Sequence, residues 1–447
     1  MKKIFNSVLI SVLVTSVSFA ETDYQARIKE LENGFADLQR QIKQLKRDMG
    51  SNTSESHAQR LSNLEAYAVQ LNEVLADIQE KVDENSSEVI RVSQTQESQP
   101  RLGVYGTVTA GKSSNENSIL DGQSFELILS GQPHERISYF TELEFERSAT
   151  VGGSRGGEVL VEQAYTDIKI NSWMNFRGGI VLVPFGNIER DHFSPLREVV
   201  SQPYTSYALA PSDWTDNGFG INGNINLSDQ WIADYQFNVI AGLGSGISPQ
   251  GLRRTRQGFG VDNNNNKAMA AKISLQNSSG LTMGFSFYNG KWDDAGTKQI
   301  NGFNFDFDYQ WKWLDIVGEF TRMNVDREFA QSAIMDGYYI RGIYSLENLL
   351  PNDWLSQDFP HAKLSIVTQY DQVNIENVFD INQVDNWEKR YTIGLRFEPT
   401  NSWIANLNYE TASAGGPDTI LRGNSNLWIF SLGYVFLFPK SRYRIAI

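Results

Sequence analysis

The sequence lacks several features that would otherwise stabilise or anchor an exported protein. None of its 447 residues is cysteine, so disulfide bonds cannot contribute to its stability. Beyond residue 20 there is no run of about 18 apolar residues, which excludes a membrane-spanning helix. The net charge of −14 argues against nucleic acid as a partner. If the chain crosses a membrane, it must therefore do so as a closed β-barrel, which satisfies every backbone group in lipid.

The first twenty residues have the three parts of a secretory signal peptide. Lys2 and Lys3 supply positive charge, an apolar stretch follows over residues 4–17, and Ser18 to Ala20 form a small-x-small cleavage site. We therefore predict a signal peptide over residues 1–20 and a mature chain that starts near Glu21. Since no cysteine follows the signal, a lipid anchor on cysteine is excluded.

Residues 21–95 carry two heptad seams. The first runs from Tyr24 to Met49 and the second from Leu61 to Val92, with seam positions spaced alternately by four and three residues and all apolar except Asn85. Near residues 50–56, Gly50 and a following capping box interrupt the seam. The pattern predicts an α-helical coiled coil of two segments in the periplasm, with a helical hairpin that folds on itself as the alternative. A polar linker over residues 96–101 follows.

From Leu102 onward the hydrophobic period changes to two, which is typical of half-buried β-strands. In NFDFDYQW (304–311), for example, aromatic residues alternate with Asn, Asp and Gln. We count about sixteen such segments over residues 102–438, before a polar tail at 439–447. Short turns alternate with long loops, above all at 184–216 and 243–266. This asymmetry predicts an all-β transmembrane barrel of about 16 antiparallel strands.

Four tryptophans stand at the exits of short turns: Trp173, Trp231, Trp313 and Trp403. Indole prefers the lipid headgroup level because its ring is apolar while its N–H needs a hydrogen-bond partner. We therefore place the short turns at the periplasmic rim, although four unrelated core tryptophans remain the alternative. The residues assigned to an opposite aromatic belt are Tyr288, Trp387, Tyr409 and Trp428.

Charged residues indicate which face of each strand points inward. A charge that faces lipid at mid-bilayer costs up to about 2–4 kcal/mol, so charges mark the lumen. The acids assigned to the lumen are Glu142, Glu144, Glu146, Asp234, Asp306, Asp308, Asp315, Glu319, Asp371 and Glu410. The bases assigned to the lumen are Arg177, Lys272, Arg341, Lys363, Arg390 and Arg396. A polar interior of this width predicts a water-filled pore.

The stretch 182–225 resembles Gram-negative porins of the phosphate-selective O and P superfamily. The matching elements are Pro184–Gly186, Pro195–Arg197, Pro211, Trp214, Gly218, Gly220 and Gly223. A coiled coil ahead of such a barrel is similar to the dicarboxylate-porin (DcaP) branch. The resemblance covers residues 101–438 and implies a homotrimer in the outer membrane, whose third loop folds into the pore. A trimer would make the coiled coil three-stranded.

The resemblance also implies a function. It implies passive diffusion of small hydrophilic solutes, with small organic anions such as dicarboxylates favoured, and contact with membrane lipid and lipopolysaccharide. Phosphate-selective members line their pore with lysines, whereas this chain has few lumen lysines, so phosphate selectivity is not expected. No cofactor is implied.

We expect the 187–216 loop to set a transverse field in the pore. Acids of the loop and of strands 10 and 11 would face bases of strands 12–14. The residues assigned to the constriction and to solute binding are Glu189, Arg190, Asp191, Arg197, Glu198, Arg341, Arg390, Arg396, Asp306 and Asp308. On this hypothesis, neutral residues at Arg390 and Arg396 lower anion permeability and leave the fold intact.

A basic cluster in the next long loop consists of Arg253, Arg254 and Arg256. It either gathers anionic solutes, binds lipopolysaccharide, or is simply a solvated loop face. The same loop contains VDNNNN (261–266), which lacks the spacing of a calcium-binding loop. We therefore assign no metal site.

Two other functions fit less of the sequence. An outer-membrane hydrolase would need a nucleophile and a base, and among only four histidines His192 alone has a serine, Ser194, close by in a loop. No catalytic residue is assigned, because such proximity in a loop is common. A structural tether would use the coiled coil to reach through the periplasm and would transport little.

Overall fold

The computed structural model describes residues 100–147, 157–211, 213–327, 331–346, 359, 362–379, 385–417 and 421–438. The predicted signal peptide, coiled coil, most of the linker and the C-terminal tail lie outside these residues. No helix in the described ranges is long and apolar enough to cross a membrane.

Sixteen antiparallel strands form a closed barrel, in which each strand pairs with its sequence neighbours and the first pairs with the last. The predicted fold class is confirmed for this part of the chain. The strands are β1 Arg101–Ser113, β2 Ile119–His134, β3 Ile137–Glu146, β4 Glu158–Lys169, β5 Asn175–Leu182, β6 Thr215–Asn226, β7 Trp231–Ile240, β8 Ala268–Asn277, β9 Leu281–Lys291, β10 Gln299–Trp311, β11 Leu314–Val325, β12 Ala333–Ser345, β13 Lys363–Glu376, β14 Asp385–Thr400, β15 Trp403–Gly415 and β16 Ser425–Phe438.

The two faces of the barrel follow the predicted alternation. On β10, Phe303 and Phe305 are exposed on the outer face, whereas Asn304 and Asp306 are buried inside. The antiparallel register carries this division around the barrel, and every acid and base assigned to the lumen lies on the inner face. A one-residue slip of any strand would reverse its faces, so the charges and the aromatics together fix the register.

The assignment of Tyr288 to an outer aromatic belt is wrong. Tyr288 is fully buried on the inner face, where its ring packs 4.9 Å from that of Trp214 and its hydroxyl accepts a hydrogen bond from the Leu243 N–H at 2.9 Å. The cause is the strand period, because Phe285 and Phe287 face outward and Tyr288 must then face inward. Exposed outer aromatics do occur at the turn exits and near the opposite rim, namely Trp173, Trp313, Trp403 and Trp428.

The largest apolar core lies inside the barrel, near the long-loop rim. Two connections fold inward to form it: the β5–β6 connection (residues 183–214, the inner loop) and the β7–β8 connection (residues 241–267, the second loop). Leu209 of the inner loop and Leu252 of the second loop pack with Met335 and Ile375 on the inner wall. Each such buried side chain contributes about 1.5–3 kcal/mol, so the two loops are held as parts of the fold.

Candidate functional site

The inner loop begins with a turn that is tied to the barrel wall by its backbone. The Gly186 N–H donates to Ser286 Oγ at 3.1 Å, and its carbonyl accepts from Lys272 Nζ at 2.6 Å. Gly186 has a φ of 69°, and a Cβ there would lie 2.9 Å from the Asn304 and Glu319 side chains. Only glycine fits this position without strain, which explains the Pro-Phe-Gly element of the sequence.

A buried ion-pair network holds the middle of the inner loop. A short helix, α1 (Ile188–His192), places Arg190 against Asp308 of β10 and 2.6 Å from Glu198. Glu198 also pairs with Arg341 of β12, which is 0% exposed. Burial opposes ionisation of Glu198, but Arg190 and Arg341 together lower its pKa. The carboxylate therefore stays charged between two arginines.

Two further bases of the predicted constriction, Arg390 and Arg396, are also paired. Arg390 is 2% exposed, lies 3.0 Å from Asp371, and donates to the backbone carbonyl of Gln202 at 2.7 Å. Arg396 donates to the carbonyl of Arg197 at 2.6 Å and to Glu398 at 2.8 Å. These two arginines anchor the inner loop to β14.

The structure also locates two of the acids that were assigned to the constriction, Asp191 and Asp306. Asp191 is buried, with Arg341 at 3.6 Å and the Ser206 hydroxyl donating to it at 2.9 Å. Asp306 lies 3.1 Å from Lys272. The side chain of Glu189 lies outside what the structure describes. The sequence therefore located the loop and its partners on the wall, but not the direct pairing of their charges.

His192 fixes the loop to the opposite wall. Its Nε2 lies 3.0 Å from Glu142 of β3 and its Nδ1 lies 3.3 Å from Asp213. Burial alone would lower the pKa of His192, but these two carboxylates raise it well above its ordinary value. Both ring nitrogens are engaged, and the Ser194 hydroxyl lies 2.8 Å from that of Thr107. This arrangement does not resemble a nucleophile and its base.

A polar cavity of about 520 Å³ lies between the two loops and strands β2–β4. Most of its acids stand on β2–β4, which we call its acidic side, and most of its bases stand on the two loops, which we call its basic side. The acids that line it are Asp121, Glu126, Glu144, Glu146, Glu162 and Asp213. The bases that line it are Arg147, Arg197, Arg253, Arg254, Arg256, Arg390 and Arg422. Of the residues assigned to the constriction, Arg197 and Arg390 line this cavity.

The second loop brings its basic cluster to this cavity. A 3₁₀ turn (Arg253–Thr255) stacks the Arg253 guanidinium on the Tyr207 ring, 4.1 Å from its centroid. Arg256 donates to the backbone carbonyl of Asp213 at 2.6 Å, while Arg254 is exposed. All three line the cavity.

Sequence reasoning missed Glu162 because of a β-bulge. The pairing of β3 with β4 shifts between Glu142 and Leu143, which leaves Glu162 as the extra residue of β4. Both Glu162 and its neighbour Gln163 are buried as a result, with Gln163 donating to Glu142 at 2.8 Å. A strict period of two would put one of these polar residues in lipid, and that conflict was the available signal for a bulge.

Comparison with known proteins gives a fold, although no protein-family model matches the chain. The barrel superposes on OmpF of Salmonella typhi, solved with daunomycin, with a TM-score of 0.54 over 76% of this chain and 99% of that chain at 10% identity. It also matches an anion-selective porin from Comamonas acidovorans, with a TM-score of 0.50 over 76% and 100% of the two chains at 11% identity. The chain has a porin fold. At these identities the likeness to porins extends to the fold alone.

Two further similarities carry less information. The outer-membrane channel DcaP of Acinetobacter baumannii matches with a TM-score of 0.49 over 75% of this chain and 97% of that one, at 11% identity. An uncharacterised protein of Aquifex aeolicus is 26% identical over 219 residues, 47% of this chain. The match spans about half the length of that relative, 49%.

Among the described residues, no group of three or more acids and histidines is placed to hold a metal ion.

Proposed function

We propose that this protein is an outer-membrane porin that lets small hydrophilic solutes diffuse through its barrel. The observation that carries the proposal is the polar cavity inside a closed sixteen-stranded barrel, bounded by a loop that crosses the lumen. Outward-facing aromatics and inward-facing charges suit a barrel with lipid outside and water inside.

The cavity supports a channel that handles both signs of charge. Its basic side would attract small organic anions, including the dicarboxylates that the sequence resemblance implies, since arginine pairs with carboxylates. Its acidic side would oppose a solute that carries only negative charge. The similar proteins give no support for a preference for dicarboxylates, so we propose small polar solutes as the class that permeates.

The same reasoning extends to assembly and surroundings. We propose a homotrimer in the Gram-negative outer membrane, in contact with lipid and lipopolysaccharide and with a periplasmic coiled coil. The mass of the purified full-length protein in detergent tests the trimer. A monomeric mass at every protein concentration would contradict it.

Planar-bilayer recording from the purified full-length protein tests the channel. We expect stepwise current and a reversal potential that changes with the salt gradient. A structural tether is the alternative, because the tight packing of the inner loop could close the lumen. A correctly folded barrel that inserts without conducting would overturn the porin proposal and favour the tether.

A further inference from the structure

Some charged side chains that line the cavity have no opposite partner within ion-pair distance among the described residues, whereas others, such as Arg147, Arg390 and Arg422, are paired. Glu126, Glu144 and Glu162 are inward-facing, and none has a basic group within ion-pair distance among the described residues. Glu162 is 3% exposed, and its Oε2 atom has no hydrogen-bond partner in the described structure. An unpaired buried carboxylate is costly, so a cationic group that enters the cavity gains from meeting it.

The pair formed by Glu144 and Glu162 strengthens this point. Both line the cavity, Glu144 from β3 and Glu162 from the bulge in the adjacent strand β4. Carboxylates on adjacent strands repel each other, and a cation close to both relieves that repulsion. An ammonium group can donate to more than one carboxylate, because it carries three N–H donors.

The basic side has the matching property. Arg197 is 7% exposed, and its Nε has no partner in the described structure. Its guanidinium donates a long hydrogen bond, 3.5 Å, to the Val200 carbonyl. The Arg253 NH1 atom is likewise buried without a partner, and Arg254 has no carboxylate within ion-pair distance in the described ranges. A carboxylate is the group that guanidinium forks bind best.

We infer that this cavity is a binding subsite for small zwitterions with one ammonium and one carboxylate group, the chemistry of free amino acids and short peptides. The ammonium lies against Glu126, Glu144 and Glu162, and the carboxylate against Arg197, Arg253 and Arg254. A volume of about 520 Å³ is within the range of small-molecule pockets, roughly 300–1,000 Å³. A solute of a single charge satisfies one side and meets repulsion from the other. This inference rests on the proposed porin function.

Three probes that differ by one group at a time test the inference. Glutamine is the zwitterion, 4-aminobutanamide lacks its carboxylate, and 4-carbamoylbutanoate lacks its amino group. Each is added to single channels of the full-length protein, and Kd is measured from the block of the ion current. Since hydrogen bonds to charged groups are the strong ones, we expect the Kd of glutamine to be about tenfold lower than that of either smaller analogue.

Two variants assign the ends of the solute. Glu162→Gln should raise Kd for glutamine and 4-aminobutanamide and leave 4-carbamoylbutanoate unchanged. Arg197→Gln should raise Kd for glutamine and 4-carbamoylbutanoate and leave 4-aminobutanamide unchanged. Glu116→Gln, which removes the same charge from the exposed β1–β2 connection, is the control. If Glu162→Gln fails to fold, Glu126→Gln replaces it, and the ranking of probes in the unaltered protein needs no variant.

The outcomes separate this inference from the proposed function. Absence of any pore current would overturn the porin proposal itself. Current with equal affinity for the three probes, or tighter binding of the single-charged analogues, would overturn the zwitterion subsite and leave the porin standing. Glutamine block that survives both variants unchanged would place the binding elsewhere in the lumen.

Discussion

The inner wall of the barrel has two regions in which charges are used differently. Along β10–β14, acids and bases pair directly, and Arg341 and Arg390 are buried between the inner loop and the strands. Along β2–β4, carboxylates are grouped with one another and share a cavity with arginines of the two loops. The first region fixes the loop, because a buried charge that loses its partner is strongly destabilising. The second leaves charge available to a solute.

The largest effect is expected where the paired region is broken. Replacing Arg390 and Arg396 together with glutamine removes bonds to Asp371 and to two inner-loop carbonyls. We expect the free energy of unfolding to fall by about 3–5 kcal/mol, the cost of leaving a buried charge without its partner. Urea unfolding in detergent measures it. Lys389→Gln, on the outer face of the same strand, is the control and should change little.

The sequence-based hypothesis was different: it expected the double variant to keep its fold and to have a lower anion permeability. A double variant that unfolds like the parent protein but conducts fewer anions would support the sequence-based hypothesis. It would also mean that the two arginines face water rather than the loop.

A smaller, pH-dependent effect is expected at His192. Because Glu142 and Asp213 raise its pKa despite burial, the stabilisation that they supply is fully present below about pH 6.5. It is lost as the pH rises through the raised pKa. His192→Gln should therefore lower the free energy of unfolding by about 1.5–3 kcal/mol at pH 6, and by less at alkaline pH.

Urea titrations of parent and variant at several pH values would show whether the two curves converge as pH increases. His134→Gln, at the exposed end of β2, should give parallel curves. A His192→Gln deficit that grows with pH would contradict the sign of the shift.

The unpaired region should respond in permeability rather than in stability. Arg253→Gln with Arg254→Gln removes two positive charges from the cavity while leaving the buried network untouched. Charges a few ångströms apart in water interact by about 1 kcal/mol, so the anion-to-cation permeability ratio should fall by a few-fold. Reversal potentials in a salt gradient measure the ratio. Lys267→Gln, in the same loop but paired with Asp262 outside the cavity, serves as the control.

An unchanged anion-to-cation permeability ratio would mean that the basic side of the cavity does not line the permeation path. A loss of stability comparable to that of the Arg390 and Arg396 variant would erase the distinction between the two regions.

The sequence predicted the barrel because each strand repeats one physical rule, apolar outward and polar inward. Residues such as Phe305 and Asp306 needed only that rule. The alternation rule was insufficient for Glu162, because the inward position of this residue depends on a bulge. The rule was not applied to Tyr288, which faces inward and packs against Trp214 of the inner loop. Which charges pair could not be predicted, because the distances between them depend on how the inner loop packs. The cavity is likewise a product of packing between distant loops.

The smallest effect is expected at a charge pair on the open edge of the cavity. Arg147 bonds to Asp121 at 2.9 Å and to Glu146 at 3.0 Å, as buried pairs do, but its side chain is 56% exposed. Water screens such a pair and its side chains lose entropy on binding, so Arg147→Gln should cost at most about 1 kcal/mol. The deficit should disappear in 1 M salt, where the screening length is about 3 Å. Urea unfolding at low and high salt measures both values. A salt-independent deficit as large as that of the Arg390 and Arg396 variant would mean that exposure does not separate structural from available charge in this lumen.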